Sequence, residues 1–166
     1  MLSFEGVPNE IKSVVKQTML ITAGTGAGGV FFPLVDEAAI AASWGRMLWK
    51  ISQYHKVSLS ADECAKIGTI CIASVMAYKV GSKILTWLVT IATVGLVIPV
   101  AVAGNAALNA FYTRQIGISF HKMLDTEGIN GKTIKEIGRI LFHYFNPLPS
   151  LSDLRDIWRQ INGGVE

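Results

Sequence analysis

Apolar residues recur along this chain at helical spacing, with no stretch of strand alternation. After Pro8, the residues Ile11, Val14, Val15 and Thr18 share one face and Lys12 and Lys16 the other, which predicts an amphipathic first helix. The most periodic helix follows Phe31-Phe32-Pro33-Leu34-Val35-Asp36. Ala39, Ile40, Ser43, Trp44, Met47, Leu48, Ile51 and Tyr54 recur there opposite Glu37, Arg46, Lys50 and Gln53. Asp36 is expected to cap it. His55 to Leu59 reads as a turn, and Ser60-Ala61-Asp62-Glu63 as a capping box opening a helix through Cys64, Ile67, Ile70, Cys71, Val75 and Tyr78 to Gly81. Towards the C-terminus, Asp125 to Gly131 forms a loop, and Lys132 to Phe145 a helix with Ile134, Ile137, Ile140, Leu141 and Tyr144 inward. Asn146-Pro147-Leu148-Pro149 stops that helix. A last helix from Ser150 or Ser152 buries Leu154, Ile157, Trp158 and Ile161 and ends at Asn162-Gly163-Gly164. The expected fold class is all-α, a multi-helix bundle.

Two stretches break the amphipathic pattern. Ile84 to Thr113 contains no Asp, Glu, Lys, Arg or His. One straight helix of that length would run to about 45 Å, against a hydrocarbon slab of about 30 Å. A break is therefore expected near Gly95-Pro99, because proline suits a first helical position and glycine the residue past a helix end. The result is a central hydrophobic helical hairpin whose tip is Leu96, Val97, Ile98, Pro99 and Val100. Trp87 and Leu88 lie on its first arm, and Lys79, Lys83, Arg114 and Lys122 meet at its open end. An apolar tip over a cationic base suits insertion into one leaflet, with headgroup contact by those four residues. Snorkelling lysines at the ends of a buried soluble hairpin would give the same pattern. Thr86, Thr90 and Thr93 on one arm, and Asn105, Asn109 and Tyr112 on the other, form polar stripes expected to face other helices, or a pore lined by several copies.

The second stretch, Gln17 to Val35, is also uncharged but is loosened by Gly24, Gly26, Gly28 and Gly29, and is read as a close-packing helix or partly as loop. Gly24, Gly26 and Gly29 match G-x-G-x-x-G. That fingerprint binds dinucleotides only where a strand turns into a helix within a βαβ unit, and no such alternation surrounds it. Helix packing through Gly24 and Gly28 is the favoured reading, with Gly81, Gly104, Asn105 and Asn109 as further packing positions.

Composition sharpens the picture. Residues 1–166 form one expected domain in which hydrophobic residues make up 51% and charged residues only 16%, below the roughly 25% typical of soluble domains. A net charge of +3 is too mild for a nucleic-acid surface but compatible with anionic lipid. Met1-Leu2-Ser3-Phe4-Glu5-Gly6 has no basic start leading into an apolar run, so membrane contact is expected from the body of the chain. Cys64 and Cys71 share a helix face too far apart to bridge and read as buried small hydrophobes. His55, His121 and His143 are scattered, with no metal-ligand pair and no nucleophile elbow. Asp36 reads as a cap rather than an acid. No catalytic residue, metal ligand or cofactor is expected.

From Val30 to Leu124 the order of features resembles a bacterial family of GTPase-associated and YcjF-like helical membrane domains. The residues carrying the resemblance are Phe32-Pro33-Leu34-Val35-Asp36, the long helix to Tyr54, Val57-Ser58-Leu59-Ser60, Gly81, the break at Pro99, and Ala106 to Thr113 running into Ile116-Gly117. Residues 30–124 would then be a family-like core and 125–166 a C-terminal helical extension. The resemblance implies association with the cytoplasmic face of the bacterial inner membrane beside a partner, often a GTPase, which here would be a separate chain. It carries over no catalytic residue. The expected function is a non-enzymatic, membrane-associating, oligomer-forming or toxin-like helical protein. The alternative is a soluble helical interaction protein, its apolar face covered by a partner or by a second copy of itself.

Overall fold

The computed structural model describes residues 3–28, 33–81, 98–144 and 149–163. Among them are six α-helices and no strand: α1 Asn9–Gly28, α2 Pro33–Tyr54, α3 Ala61–Gly81, α4 Ile98–Thr126, α5 Ile134–His143 and α6 Leu151–Ile161. The fold is thus an all-α bundle, as the hydrophobic spacing predicts.

Local chemistry sets most helix ends. Pro8 accepts from the Lys12 amide, one turn into α1. Ser60 heads α3 with the reciprocal bonds expected of it: its backbone N–H donates to Glu63 Oε2 at 2.8 Å, and the Glu63 amide donates back to Ser60 Oγ at 3.2 Å. Thr133 with Glu136, and Ser150 with Asp153, repeat this device at α5 and α6. The short C-terminal helices are therefore capped at the residue where each starts.

Of the two readings of Gln17 to Val35, helix holds as far as Gly28, and residues 29–32 lie outside the described residues. Two expectations change. Asp36 is not a cap, because α2 already starts at Pro33, a residue whose missing N–H costs nothing at a first helical position. The fifth helix begins at Ile134 rather than Lys132, where Thr133 supplies the cap. The Pro99 break is half in view: α4 starts at Ile98 with Pro99 in its first turn, while Gly95, Thr86, Thr90 and Thr93 lie outside the described residues.

At the centre of the bundle is α4, and α1, α2, α5 and α6 pack around it. From Ala106 to Leu124 every residue is buried except the half-buried Lys122. That explains why α4 lacks a clean apolar stripe: a helix covered on all sides has no solvent face to reserve for polar residues. Among its large wholly covered side chains are Leu108, Phe111, Tyr112, Ile116 and Phe120. Burying each of these contributes on the order of 1.5–3 kcal/mol.

Specific contacts fix the helix directions. Thr22 of α1 meets Thr113 of α4, and Val15 faces Gly117 further along, so these two helices run antiparallel. Trp44 meets Thr113, Met47 faces Gly117 and His55 meets His121, so α2 runs parallel to α4. Gly45 lies against Ala65 and Gly68 against Ala41, which makes α3 antiparallel to α2. Consequently Gly28, Pro33, Gly81 and Ile98, the ends of four different helices, gather at one pole of the bundle.

Candidate functional site

That pole brings together much of what the sequence singles out. Ile98, Pro99 and Val100 form the first turn of α4, with Gly104 and Asn105 further along, while Lys79, Gly81 and Gly28 lie at the ends of α3 and α1. Lys83, Trp87, Leu88, Leu96 and Val97 lie outside the described residues. The topology also sets the uncharged stretches of four helices side by side: residues 17–28, 38–45, 67–78 and 98–113 contain no Asp, Glu, Lys, Arg or His. Away from the pole, each of these stretches is closed by a basic residue, Lys16, Arg46, Lys66 and Arg114 respectively. At the end nearer the pole the stretches on α2 and α3 are bounded by Glu37, with Asp36 beside it, and by Lys79.

The expected cationic foot is arranged differently. Lys79 is near the pole, but Arg114 lies sixteen residues down α4 from Ile98, about 24 Å away, and Lys122 about 12 Å further. Arg114 is also turned inward. It is 5% exposed, its guanidinium sits 4.4 Å from the centre of the Phe4 ring, and Nη1 donates to Gln160 Oε1 at 3.2 Å. Lys122 neighbours the buried His121 at the far end. A cation held against an aromatic face and an amide is committed within the protein rather than offered to a headgroup.

Packing residues are also redistributed. A Cβ built on Gly24 would meet nothing within 4 Å, so this glycine is not a contact point. The close approaches are at glycines the sequence reading passed over. A Cβ at Gly45 would lie 2.8 Å from the Ala65 Cα, and one at Gly68 2.8 Å from the Ala41 carbonyl oxygen. At Gly117 and Gly138 the obstacles would be side chains, Val15 and Ile70. The Ala41-to-Gly45 spacing of four residues on a periodic helix was the available signal. Asn109 does pack as expected, its amide donating to the Thr22 carbonyl at 3.4 Å within the bundle. It adjoins a buried polar cluster in which Trp44 Nε1 donates to Thr113 Oγ1 at 2.8 Å, and the Thr113 and Thr22 hydroxyls lie 2.8 Å apart. Asn109 thus faces α1, and Thr113 faces both α1 and α2.

Two further features were not legible in the sequence. The first is a groove between α1 and α2, made of two depressions of about 450 and 440 Å³ that share Val14 and Lys50. Lining it are three large apolar side chains that stay in contact with solvent: Ile21 (56% exposed), Trp49 (38%) and Tyr54 (42%).

The second is a histidine pair. His55, just past α2, and His121 on α4 lie with Nε2 and Nδ1 2.8 Å apart, one ring donating and the other accepting. Burial lowers the pKa of His55, opposed by the Asp125 carboxylate. Burial also lowers that of His121, reinforced by the His55 and Lys122 charges and opposed by Asp125. Only one proton can sit between the two nitrogens, so double protonation removes the hydrogen bond and sets like charges face to face.

Neither cysteine is activated. Burial pushes the Cys64 thiol up to about 11 and Cys71 to about 12, so neither is a thiolate near neutral pH. Among the described residues no group of three or more His, Cys, Asp or Glu is placed to hold a metal ion. The G-x-G-x-x-G glycines Gly24 and Gly26 lie in the interior of α1, not at the strand-to-helix turn that places amides around a pyrophosphate. Among the described residues no helix is long and apolar enough to cross a membrane. No family model, no curated protein and no solved structure matches the chain.

Proposed function

We propose that the protein is a non-enzymatic helical module that associates with anionic membrane surfaces at the pole where its uncharged helix stretches meet. The observation carrying this reading is the coincidence of four uncharged helix stretches at one end of the bundle, with Lys16, Arg46 and Lys66 on the flank leading away from it and Arg114 turned inward. Dehydrating uncharged helix surface costs little, while nearby Lys and Arg gain roughly 1 kcal/mol each beside anionic lipid. The described part of the Ile84-to-Thr113 run begins at this pole, with Ile98 opening α4, and the first turns of that helix are the element proposed to meet the headgroup layer. Exposed Leu20 and Ile21 add apolar area on the same half. The resemblance to GTPase-associated membrane domains supports the cytoplasmic face of a bacterial inner membrane as the location, with a separate GTPase chain or a second copy as neighbour.

Flotation of the full chain with vesicles tests this. Co-flotation with phosphatidylglycerol vesicles, weakened in high salt and on phosphatidylcholine, is the expected result. A chain that stays at the bottom of the gradient at low salt overturns it.

A second reading, a helical interaction protein, is favoured by one specific observation: the groove between α1 and α2 with exposed Trp49 and Tyr54 beside it. It needs no lipid.

A further inference from the structure

We infer that the α1–α2 groove is a docking site for an amphipathic helix of a partner protein that carries two acidic residues one turn apart. This rests on the second reading above, and it assigns Arg46 and Ile21, which line the groove, to a protein partner rather than to lipid.

Shape gives the first part of the argument. The two depressions run from Glu10 to Ile21 on α1 and from Ala42 to Tyr54 on α2. At 1.5 Å per residue the α1 side is about 17 Å long, which matches about three turns of a third helix lying between two others. The floor is apolar: Ile11, Met47 and Ile51 are almost wholly covered, and half-buried Val14 joins the two depressions. A helix with apolar residues at three- and four-residue steps would bury its stripe there, against Trp49 and Tyr54 at one end and Ile21 at the other.

Charge identifies the occupant. Arg46 and Lys50, four apart on α2, are both exposed on the groove. Among the described residues neither makes a hydrogen bond or ion pair. Ion pairs among the described residues are few, Lys66 to Asp62 at 2.6 Å, Lys132 to Glu127 at 4.0 Å and Arg159 to Asp156 at 3.9 Å, and what sets Arg46 and Lys50 apart is that both line the same apolar groove. Side chains four apart on a helix are about 6 Å from one another, the spacing of two carboxylates at i and i+4 on a facing helix. Glu10 is the groove's acidic residue and lies at the Trp49–Tyr54 end. The occupant's acidic turn therefore lies over Arg46 and Lys50, with its more basic end towards Glu10. A flat lipid surface could meet these cations but would not fill a concavity between two helices.

The test uses the full chain, without lipid, and two synthetic helical peptides. Both carry leucines at positions 1, 4, 8 and 11. One has glutamates at two flanking positions four apart, and the other has lysines there. Calorimetric titration is expected to show the glutamate peptide binding roughly 10-fold more tightly than the lysine peptide, a preference that shrinks with added salt. The double variant Arg46→Glu, Lys50→Glu is expected to reverse that preference. Misfolding cannot produce a reversal, so the variant's tighter binding of the lysine peptide controls for its own integrity. Equal binding of the two peptides, or no binding of either, overturns the proposal. So does a variant that fails to float with phosphatidylglycerol vesicles while neither peptide binds the wild type, since the groove cations would then be lipid contacts.

Discussion

Two of the seams that hold α2 in place, those with α3 and α4, are built on opposite principles. Against α3 the contact is geometric: Gly45 and Gly68 let the backbones approach until Ala65 and Ala41 sit where side chains would otherwise be. Against α4 the contact is chemical: the Trp44 indole donates to the Thr113 hydroxyl, which also meets Thr22 of α1, and His55, just past α2, shares a hydrogen bond with His121. The first seam tolerates no added volume and is indifferent to pH. The second contains the groups whose replacement leaves a buried donor unmatched and whose protonation loosens the fold. The α2–α4 seam is therefore where solution conditions can act on the bundle.

Breaking the geometric seam has the largest effect. Gly68→Val places a side chain against the Ala41 carbonyl, backbone that cannot turn aside, and is expected to cost about 3 kcal/mol or to prevent folding. Thermal denaturation followed by circular dichroism measures it, and an unchanged melting temperature would mean that α2 and α3 are further apart than described. Removing one group from the chemical seam costs less. Thr113→Val keeps the shape but leaves the Trp44 N–H and the Thr22 hydroxyl without that partner, an expected loss of about 2 kcal/mol in urea unfolding. Gly68→Val combined with Thr113→Val would show whether the seams add independently.

Acidification probes the histidine pair. Both folded pKa values lie below the unfolded value near 6.5. Below that pH the unfolded chain takes up protons that the folded pair resists. The pair's contribution is thus complete above about 6.5 and is lost as pH falls towards the folded pKa values. The melting temperature is expected to drop between pH 7.5 and 5.5, and His121→Gln is expected to flatten that slope. An identical slope in the variant would place the sensitivity elsewhere. The smallest effect has the opposite sign. Gly24→Ala, in open space within α1, is expected to stabilise by about 0.5–1 kcal/mol, since alanine costs less helix entropy than glycine and meets no neighbour. Destabilisation there would restore Gly24 as a packing residue.

The Ser60–Glu63 box, the Pro8 start, the Ser150 start and the Asn162 end were legible because each is decided within four residues. The registry of α4 was not. Its burial on all sides suppresses the face-to-face alternation that reveals an amphipathic helix. The same sequence pattern served equally for a lipid-facing arm and for the bundle centre, and only its neighbours separate the two. The candidate sites divide likewise. Uncharged stretches can be read off the chain, but His55 and His121 stand 66 residues apart and carry no local signature of partnership.

The sequence by itself determined that this chain is helical, where most helices start and stop, and which stretches avoid charge, because capping, proline chemistry and composition act over a few residues. Only the tertiary structure decided that four uncharged stretches lie together, that Arg114 turns inward onto Phe4, and that two distant histidines share a hydrogen bond. Those outcomes depend on helix direction and rotation. Glycine contacts and buried polar groups fix both through residues remote in the chain, so no local pattern encodes them.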